Sequence, residues 1–223
     1  MIVPVWMVFA SSTHTSSFIN THGLQFFLGD SFQENYLRVL LYKGGFFKEI
    51  TALKMFFNSF VMATGVALLS VVTSLMAAYA LVYYRTKYAT FLFWLIFITI
   101  LVPLELRIFP TYSVMAKLNL VNSYFGLIVP ISASAIATLF FRQFYRTVPD
   151  ELLESAKLDG ANTWRFFIDF LVPLSRTMIV AMFIFMFVFG YNQYLWPLLV
   201  TSSEQYWTVV MGLKMMSGSI VHR

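Results

Sequence analysis

The run MFFNSFVMATGVALLSVVTSLMAAYALVYY, from Met55 to Tyr84, contains no Asp, Glu, Lys or Arg. A helix that crosses a bilayer needs roughly 20 mainly apolar residues, so this run is long enough to do so by itself. Inside lipid every backbone polar group must find a partner, and a helix satisfies its groups within one segment. The run therefore predicts a membrane-embedded α-helix.

Three further runs without charged residues occupy much of the remaining chain, at 88–104, 118–141 and 177–203. Together with the first run they predict four membrane spans, named A, B, C and D, at about 57–83, 89–109, 124–145 and 177–200. Only 11% of the residues are charged, whereas soluble domains carry roughly 25%. We therefore predict an all-α fold, a polytopic transmembrane helical bundle.

Basic residues indicate which side of the membrane each loop faces. The loop between spans A and B carries Arg85 and Lys87. The loop between spans C and D carries five basic residues, which are Arg142, Arg146, Lys157, Arg165 and Arg176. Because cytoplasmic loops are enriched in Lys and Arg, both loops are predicted to face the cytoplasm. The loop at 104–123 and the N-terminal region then face the outside.

The segment between spans C and D, at about 146–175, is rich in charged residues and helix-capping signals, and is called the charged segment below. Thr147 and Asp150 have the spacing of a capping box, and Gly160 lies where a left-handed residue would end a helix. A second helix is predicted from residue 162 or 163 to Pro173. Two interpretations follow: an amphipathic element lying on the membrane, or a docking element that enters a groove on another protein.

The charged segment also contains a spaced motif. Glu154-Ser155-Ala156 is followed after three residues by Gly160, and after nine more by Phe170-Leu171-Val172-Pro173. This pattern resembles the motif E-A-A, three residues, G, nine residues, I-x-L-P of permease subunits in bacterial ATP-binding-cassette (ABC) importers. Ser155, Phe170 and Val172 replace Ala, Ile and Leu of that motif. Within the family, the chain is most similar to carbohydrate-uptake permeases, including those for sn-glycerol-3-phosphate.

The resemblance implies a fold and a function. The fold would be that of type I (MetI-like) importer permeases, with residues 1–223 forming one transmembrane domain. Such permeases usually have six spans, so the chain is expected to lack part of the first helix and all of the last. The implied function is import of sn-glycerol-3-phosphate, or a related glycerophosphodiester or sugar, across the bacterial inner membrane. A permease for another sugar or polyol, and a truncated inactive fragment, are the alternatives.

The resemblance also implies partners and coupling residues. In the family, this segment is a coupling helix that docks on a cytoplasmic ATPase. The residues to which it assigns that role here are Glu151, Glu154, Ser155, Ala156, Asp159, Gly160, Ala161 and Pro173. The implied partners are a second permease subunit, two ATP-binding subunits, an external solute-binding protein and membrane lipid, but no nucleic acid.

Catalytic and cofactor sites are not predicted in this chain. The sequence has no phosphate-binding Gly-x-x-x-x-Gly-Lys loop, so ATP is expected to bind only to partner subunits. His14, His22 and His222 are isolated, which predicts no metal site. An integral membrane enzyme, or a transporter driven by an ion gradient, would need titratable residues inside the spans. The charge-free runs disfavour both.

Polar residues near the ends of spans B and D are candidates for the substrate pathway. Those of span D are consecutive, Tyr191, Asn192, Gln193 and Tyr194, and lie between Gly190 and Pro197, which permit a local break. Alternatively they bond between helices, with Tyr194 and Trp196 as interface anchors. Those of span B are Glu105 and Arg107. Arg107 could attract an anionic phosphate, or the two could form an interfacial anchor or an internal ion pair.

Overall fold

The computed structural model of the chain describes residues 2–41, 50–84 and 87–221, and every regular element among them is helical. Arg85 and His222, considered above, lie outside the described residues. In chain order the helices are α1 (Ile2–Ser12), α2 (Ser16–His22), α3 (Phe32–Leu41), α4 (Ala52–Tyr83), α5 (Ala89–Ile98), α6 (Leu104–Lys117), α7 (Tyr124–Ile128), α8 (Ala135–Tyr145), α9 (Asp150–Leu158), α10 (Thr163–Phe166), α11 (Val172–Leu174), α12 (Arg176–Tyr191), α13 (Leu195–Val200) and α14 (Val209–Val221). The predicted all-α class is confirmed.

Helix α4 corresponds to predicted span A and lies at the centre of the fold. It begins earlier than predicted because the Thr51 side chain caps it, accepting a hydrogen bond from the Lys54 amide at 3.3 Å. Helices α5, α7, α8, α12 and α14 all pack against it. Small residues on its inner side, among them Ala63, Ala67 and Ala78, are fully buried. They allow the neighbouring helices to approach closely.

The other three predicted spans are interrupted. Among the described residues, α4 alone is long and apolar enough to cross a bilayer unaided, and the number rises to four if each bent helix pair counts as one span. The bends are 105° between 89–101 and 105–117, 49° between 124–131 and 135–145, and 75° between 163–174 and 176–191. Spans B and C are therefore not the straight helices predicted. Span D is also divided, since α12 ends at Tyr191 and α13 begins at Leu195.

Proline explains the interruption of span B. Pro103 disfavours the helical region for the residue before it, and Val102 has extended backbone angles of φ −88° and ψ 110°. The chain therefore turns after the 3₁₀ turn Thr99–Leu101 and continues as α6. The prediction of one helix over 89–109 is wrong because Pro103 is a helix boundary inside a long apolar run.

The break in span C is stabilised by serines of α4. Residues 132–134 leave the helix, which frees main-chain carbonyls from their usual partners. Ser70 Oγ donates to the carbonyl of Ser132, and Ser74 Oγ donates to the carbonyl of Ser134 at 3.2 Å. Non-helical backbone at membrane depth is tolerated where protein supplies such partners.

A second proline determines a tryptophan position. Pro130 has no N–H and cannot donate to the carbonyl of Gly126, four residues earlier. The indole Nε1 of Trp196 donates to that carbonyl instead, at 3.1 Å. Trp196 is only 1% exposed, so its alternative role as an interface anchor is wrong. The bond joins α13 to α7.

Gly190 is required for close packing of two helices. It lies inside α12, and a Cβ added there would be 3.1 Å from the Cα of Ala63 and 3.2 Å from Cβ of Val66. The break that Gly190 was expected to permit lies beyond it, after Tyr191. Its absent side chain therefore brings α12 against α4.

We expect Gly190→Ala to lower the free energy of unfolding by about 1–3 kcal/mol, the usual cost of an overpacked contact. Thermal denaturation of the purified chain in detergent would measure it. Gly65→Ala in α4 is the comparison, because the three atoms nearest its Cβ belong to the Ile128 side chain and the closest, Cδ1 at 2.6 Å, is its flexible end, whereas Gly190 faces the backbone of Ala63. Equal melting temperatures for Gly190→Ala and the unaltered chain would contradict the packing role.

Residues near the C-terminus form a helix that was not among the predicted spans. Helix α14 begins at Val209, whose amide donates to Ser59 Oγ of α4 at 2.9 Å. Met211 is 1% exposed and packs in the interior. The alternation of apolar and small residues over 206–223 did not indicate a helix, because the contact with α4 determines its buried face.

Candidate functional site

The charged segment begins with α9, but the predicted capping box is wrong. The helix starts at Asp150 and is preceded by Pro149, which makes no side-chain cap. The Thr147 hydroxyl donates to the carbonyl of Phe144 at 2.7 Å, so it faces the preceding helix. Asp150 and Glu151 in the first turn and Lys157 in the last turn still complement the helix dipole.

Helix α9 ends as predicted, at a left-handed glycine. Gly160 has φ +78°, its amide donates to the carbonyl of Lys157 at 3.0 Å, and the Ala161 amide donates to Ala156 at 2.9 Å. These two bonds form a Schellman motif, which satisfies the last carbonyls of a helix. The turn between α9 and α10 is therefore fixed by main-chain bonds.

The second helix begins as predicted but does not end at Pro173. Asn162 caps α10, its side chain accepting a hydrogen bond from the Arg165 amide at 2.7 Å. A π turn at Phe167–Leu171 follows, directly before α11, which contains Pro173. A proline displaces the carbonyl four residues earlier, and such an insertion often takes the form of a π bulge. The sharp bend comes two residues later, at Ser175.

The motif residues lie on two sides of the charged segment. Those with exposed side chains or backbone are Glu151, Glu154, Ser155, Asp159, Gly160 and Pro173. Ala161 is half-buried, and Ala156 is 1% exposed. Seven of the eight proposed coupling residues are therefore at least partly accessible, whereas Ala156 faces the interior of this chain and cannot contact a partner in this conformation.

Ala156 lies against an aromatic cluster formed by Tyr79, Tyr83, Tyr145, Phe166 and Phe167. The Tyr79 hydroxyl donates to the main-chain carbonyl of Thr163 at 2.6 Å, and its ring lies 4.9 Å from that of Phe167. The ring of Tyr83 lies 5.4 Å from that of Phe166. The aromatic cluster fixes both helices of the charged segment to the C-terminal end of α4.

The outer side of the charged segment presents apolar groups among its charges. Leu158 is 89% exposed, Trp164 55% and Ile168 45%. The nearby pair Arg165 and Asp169, 3.2 Å apart, is also exposed. Exposed apolar side chains in a fixed arrangement are typical of a surface that contacts lipid or another protein. Both interpretations of the charged segment are compatible with this surface.

The candidate pathway residues of span D bond mainly within their own helix. Asn192 Nδ2 donates to the carbonyl of Val188 at 2.9 Å, and Gln193 Nε2 donates to that of Phe189 at 3.3 Å. The ring of Tyr191 stacks on Phe187, also in α12. These amides cap the end of α12, and no bond from either to another helix occurs among the described residues. Asn192 is exposed and Gln193 half-buried.

The structure separates the candidates of span B. Neither Glu105 nor Arg107 forms an ion pair with another described residue, so the internal pair considered above is not formed. Arg107 lines a cavity of about 280 Å³ between the breaks of spans B and C and helix α12. Ser134 and Phe189 also line this cavity, whereas Glu105 and the Tyr191–Tyr194 group do not.

At the opposite end of α4 from the aromatic cluster lies a polar network that was not predicted. Asn58 is fully buried. Its Nδ2 donates to the carbonyls of Gln205 and Trp207 at 2.8 and 2.9 Å, and its Oδ1 accepts from the Tyr124 hydroxyl at 2.7 Å. Asn58 is the one amide side chain in the charge-free run 55–84. That position could have identified it, because buried polar residues in spans have partners.

A second asparagine fixes the same loop region. Asn122 has φ +57°, and its Oδ1 accepts from the amides of Ser202 and Ser203 at 2.7 and 2.9 Å. The main-chain amide of Asn122 donates to the carbonyl of Val200. The loop 118–123 and the loop 201–208 are therefore joined at the Asn58 end of α4. Among the described residues, no group of three or more His, Asp or Glu side chains could hold a metal ion.

The sequence matches the model of one protein family over residues 70–220, which include the charged segment and most of the packed helices. That family is described as the binding-protein-dependent transport system inner membrane component. The chain belongs to this family. The family lies in the inner membrane and comprises permeases of ABC importers, and the expected relationship is thereby confirmed.

Three curated relatives share the name sn-glycerol-3-phosphate transport system permease protein UgpE. The protein of Agrobacterium fabrum is 42% identical over 96% of this chain and 76% of its own length. That of Yersinia enterocolitica is 50% identical over 74% of this chain, and the match spans 59% of its length. That of Brucella abortus is 41% identical over 96% of this chain. The chain therefore matches between about three fifths and three quarters of these relatives.

A solved structure has the same fold. It is described as the crystal structure of a bacterial ABC transporter involved in the import of the acidic polysaccharide alginate. The similarity covers 100% of this chain and 80% of that chain, with a TM-score of 0.82 and 19% identity. At that identity the similarity concerns the fold, which is that of an importer permease, as expected.

Proposed function

We propose that this chain is a permease subunit that moves sn-glycerol-3-phosphate, or a related glycerophosphodiester or sugar, across the inner membrane. Movement would be driven by two ATP-binding subunits that contact the charged segment. A second permease subunit and an external solute-binding protein would complete the importer. The chain itself would hydrolyse no ATP and hold no cofactor, and all 223 residues would form one transmembrane domain.

The observation that best supports this proposal is the geometry of the charged segment. Helix α9 ends in a Schellman motif, and main-chain bonds fix the turn that leads from it to the capped helix α10. Ala156 packs inward, whereas the acidic side chains and several apolar side chains face outward. A rigid element with an exposed apolar surface suits insertion into a groove of another protein. An element lying on a membrane surface would not require the fixed turn at Gly160.

The arrangement of loops supports a cytoplasmic position for the charged segment. Lys87 follows α4 directly, and the charged segment contacts the same end of α4 through Tyr79 and Tyr83. The two basic loops therefore share one end of the bundle, as the positive-inside rule requires of two cytoplasmic loops. The loops 118–123 and 201–208 lie together at the other end, which we propose faces outward.

The proposed pathway residues lie near the breaks of spans B and D. Arg107 in its cavity offers a cation to an anionic substrate group. Tyr191, Asn192, Gln193 and Tyr194 lie at the break between α12 and α13, where transporters commonly place substrate-facing backbone. Glu105 lies outside the cavity, so we propose only an interfacial role for it.

Substrate and partners can be tested together. Membranes containing the tagged chain and its candidate partners would be solubilised, and copurifying ATPase measured. Uptake of labelled sn-glycerol-3-phosphate would be compared with that of a panel of sugars and polyols in reconstituted vesicles. ATP-dependent uptake of a different compound in place of sn-glycerol-3-phosphate would show that the proposed substrate is wrong. Absence of any bound ATPase would overturn the whole proposal.

Gly160 provides a sharper test of the charged segment. A Cβ at Gly160 would meet nothing within 4 Å in this chain, so only its backbone angle or a docked partner can oppose a substitution. We expect Gly160→Ala to lower ATP-dependent uptake about 5- to 30-fold, because a left-handed conformation costs an L-residue about 1–2 kcal/mol. Gly160→Asn should lose less, because Asn tolerates this conformation.

Two comparisons complete the Gly160 test. Gly23→Ala is the matched control, since Gly23 has φ +69° and equally open space but lies far from the charged segment in sequence. It should leave uptake unchanged. If Gly160→Asn loses as much as Gly160→Ala, a partner approaches this glycine closely. If both keep full uptake with the ATPase bound, the glycine has no part in coupling.

A further inference from the structure

Helix α4 connects the charged segment to the loops at the opposite end of the bundle. At one end, the Tyr79 hydroxyl donates to Thr163 of α10, and the aromatic cluster surrounds Ala156 of α9. At the other end, Asn58 bonds to Gln205 and Trp207. Asn58 and Tyr79 are 21 residues apart on one unbroken helix, which is about 32 Å at 1.5 Å per residue.

The alternative routes out of the charged segment contain bends. Toward α12 the chain passes through the π turn and then bends by 75° at Ser175. Toward α8 it passes through residues 146–149, which are not in a regular helix. The contact with α4, by contrast, consists of a short hydrogen bond from the buried Tyr79 hydroxyl to the Thr163 carbonyl, together with packed aromatic rings. These contacts join the charged segment directly to α4, without an intervening bend of the chain.

The two tyrosines that α4 contributes to the aromatic cluster, Tyr79 and Tyr83, bond to different parts of the chain through their hydroxyls. Tyr79 is 5% exposed and its hydroxyl bond to Thr163 measures 2.6 Å. Tyr83, one turn further along α4, makes a bond of 3.4 Å to the carbonyl of Tyr145, which belongs to α8 and not to the charged segment. The Tyr79 hydroxyl is thus the polar connection between α4 and the two helices of the charged segment among the described residues.

We infer that Tyr79 is a positioning residue that makes α4 follow the charged segment, so that α4 transmits its movement to the loop 201–208. This inference rests on the proposed function, because it assumes that an ATPase moves the charged segment. Allosteric coupling requires two sites whose states depend on each other. Here the two sites are the Tyr79–Thr163 contact and the Asn58 network.

The test uses the assembled importer. Because the chain has no cysteine, Gln205→Cys provides a single labelling position on it, and the Gln205 side chain is exposed. A nitroxide there should change mobility when a non-hydrolysable ATP analogue binds. Tyr79→Phe removes only the hydroxyl, and we expect it to reduce substrate moved per ATP hydrolysed about fivefold. The label response should shrink while the ATPase stays bound.

The controls separate this inference from the proposed function. Tyr83→Phe should keep the coupling ratio, since its hydroxyl does not contact the charged segment. If the unaltered chain shows neither bound ATPase nor a label response, the proposed function is wrong. If the unaltered chain responds and Tyr79→Phe responds equally with an unchanged ratio, the inference about Tyr79 is wrong and the proposed function stands.

A second variant tests the same connection if the Tyr79→Phe complex assembles poorly. Phe167→Leu removes the ring that packs on Tyr79 and leaves the hydroxyl in place. A lower ratio of transport to hydrolysis in the Phe167→Leu complex would support the connection through α4. An unchanged ratio in a fully assembled complex would overturn it.

Discussion

Replacing Ala156 with Asp should release the charged segment from the body of the protein. Ala156 is 1% exposed and belongs to the buried cluster that includes Tyr79, Phe166 and Phe167. An unpaired buried carboxylate costs at least about 3 kcal/mol, which corresponds to roughly a 100-fold change in the equilibrium constant between the packed and the released charged segment. We expect ATP-dependent uptake to fall by a similar factor.

Limited proteolysis would show the release directly. Trypsin cleaves after Lys157 and Arg165, which are exposed but held in helices, so cleavage should accelerate in Ala156→Asp. Ser155→Asp is the matched control, because the neighbouring Ser155 side chain is exposed. It should leave the cleavage rate unchanged. Equal cleavage of the two variants would show that Ala156 does not hold the charged segment in place.

The sequence was sufficient to predict the fold class and the position of the longest helix. The run 55–84 has a length and a lack of charge that only a buried or membrane helix tolerates, and α4 occupies most of it. The interruptions of spans B and C were not predicted, although Pro103 and Pro130 lie close to them. Hydropathy averages over a window and therefore does not respond to a single missing N–H.

The charged segment shows a different limit. Gly160 and Asn162 were assigned correctly because their roles depend on local backbone geometry. Thr147 was assigned wrongly because two groups compete for its hydroxyl, and the nearby carbonyl of Phe144 wins. Ala156 is buried in one cluster with Tyr79, which is 77 residues earlier in the sequence. No local pattern contains that information.

Asn58 is the residue whose loss should most affect the end of α4 opposite the aromatic cluster. Asn58→Leu has a similar volume but no polar atoms, so the carbonyls of Gln205 and Trp207 and the Tyr124 hydroxyl all lose a partner. Buried polar groups left unsatisfied cost about 1–3 kcal/mol each, and partial hydration of the loop reduces the sum. We expect a loss of about 2–3 kcal/mol, which lowers the apparent Tm by roughly 5–10 °C.

The contrast with Asn192 makes this prediction specific. Asn192→Leu also removes an asparagine amide near the end of a membrane helix, but that side chain is exposed and bonds only to Val188 of its own helix. Its Tm should stay within about 2 °C of the Tm of the unaltered chain.

Because the Asn58 bonds join parts of the chain almost 150 residues apart, their loss should also free the loop 201–208. A spin label at Gln205→Cys should then become more mobile in Asn58→Leu and not in Asn192→Leu. Unchanged mobility and Tm in Asn58→Leu would mean that the packing of α14 on α4 holds this loop without the amide.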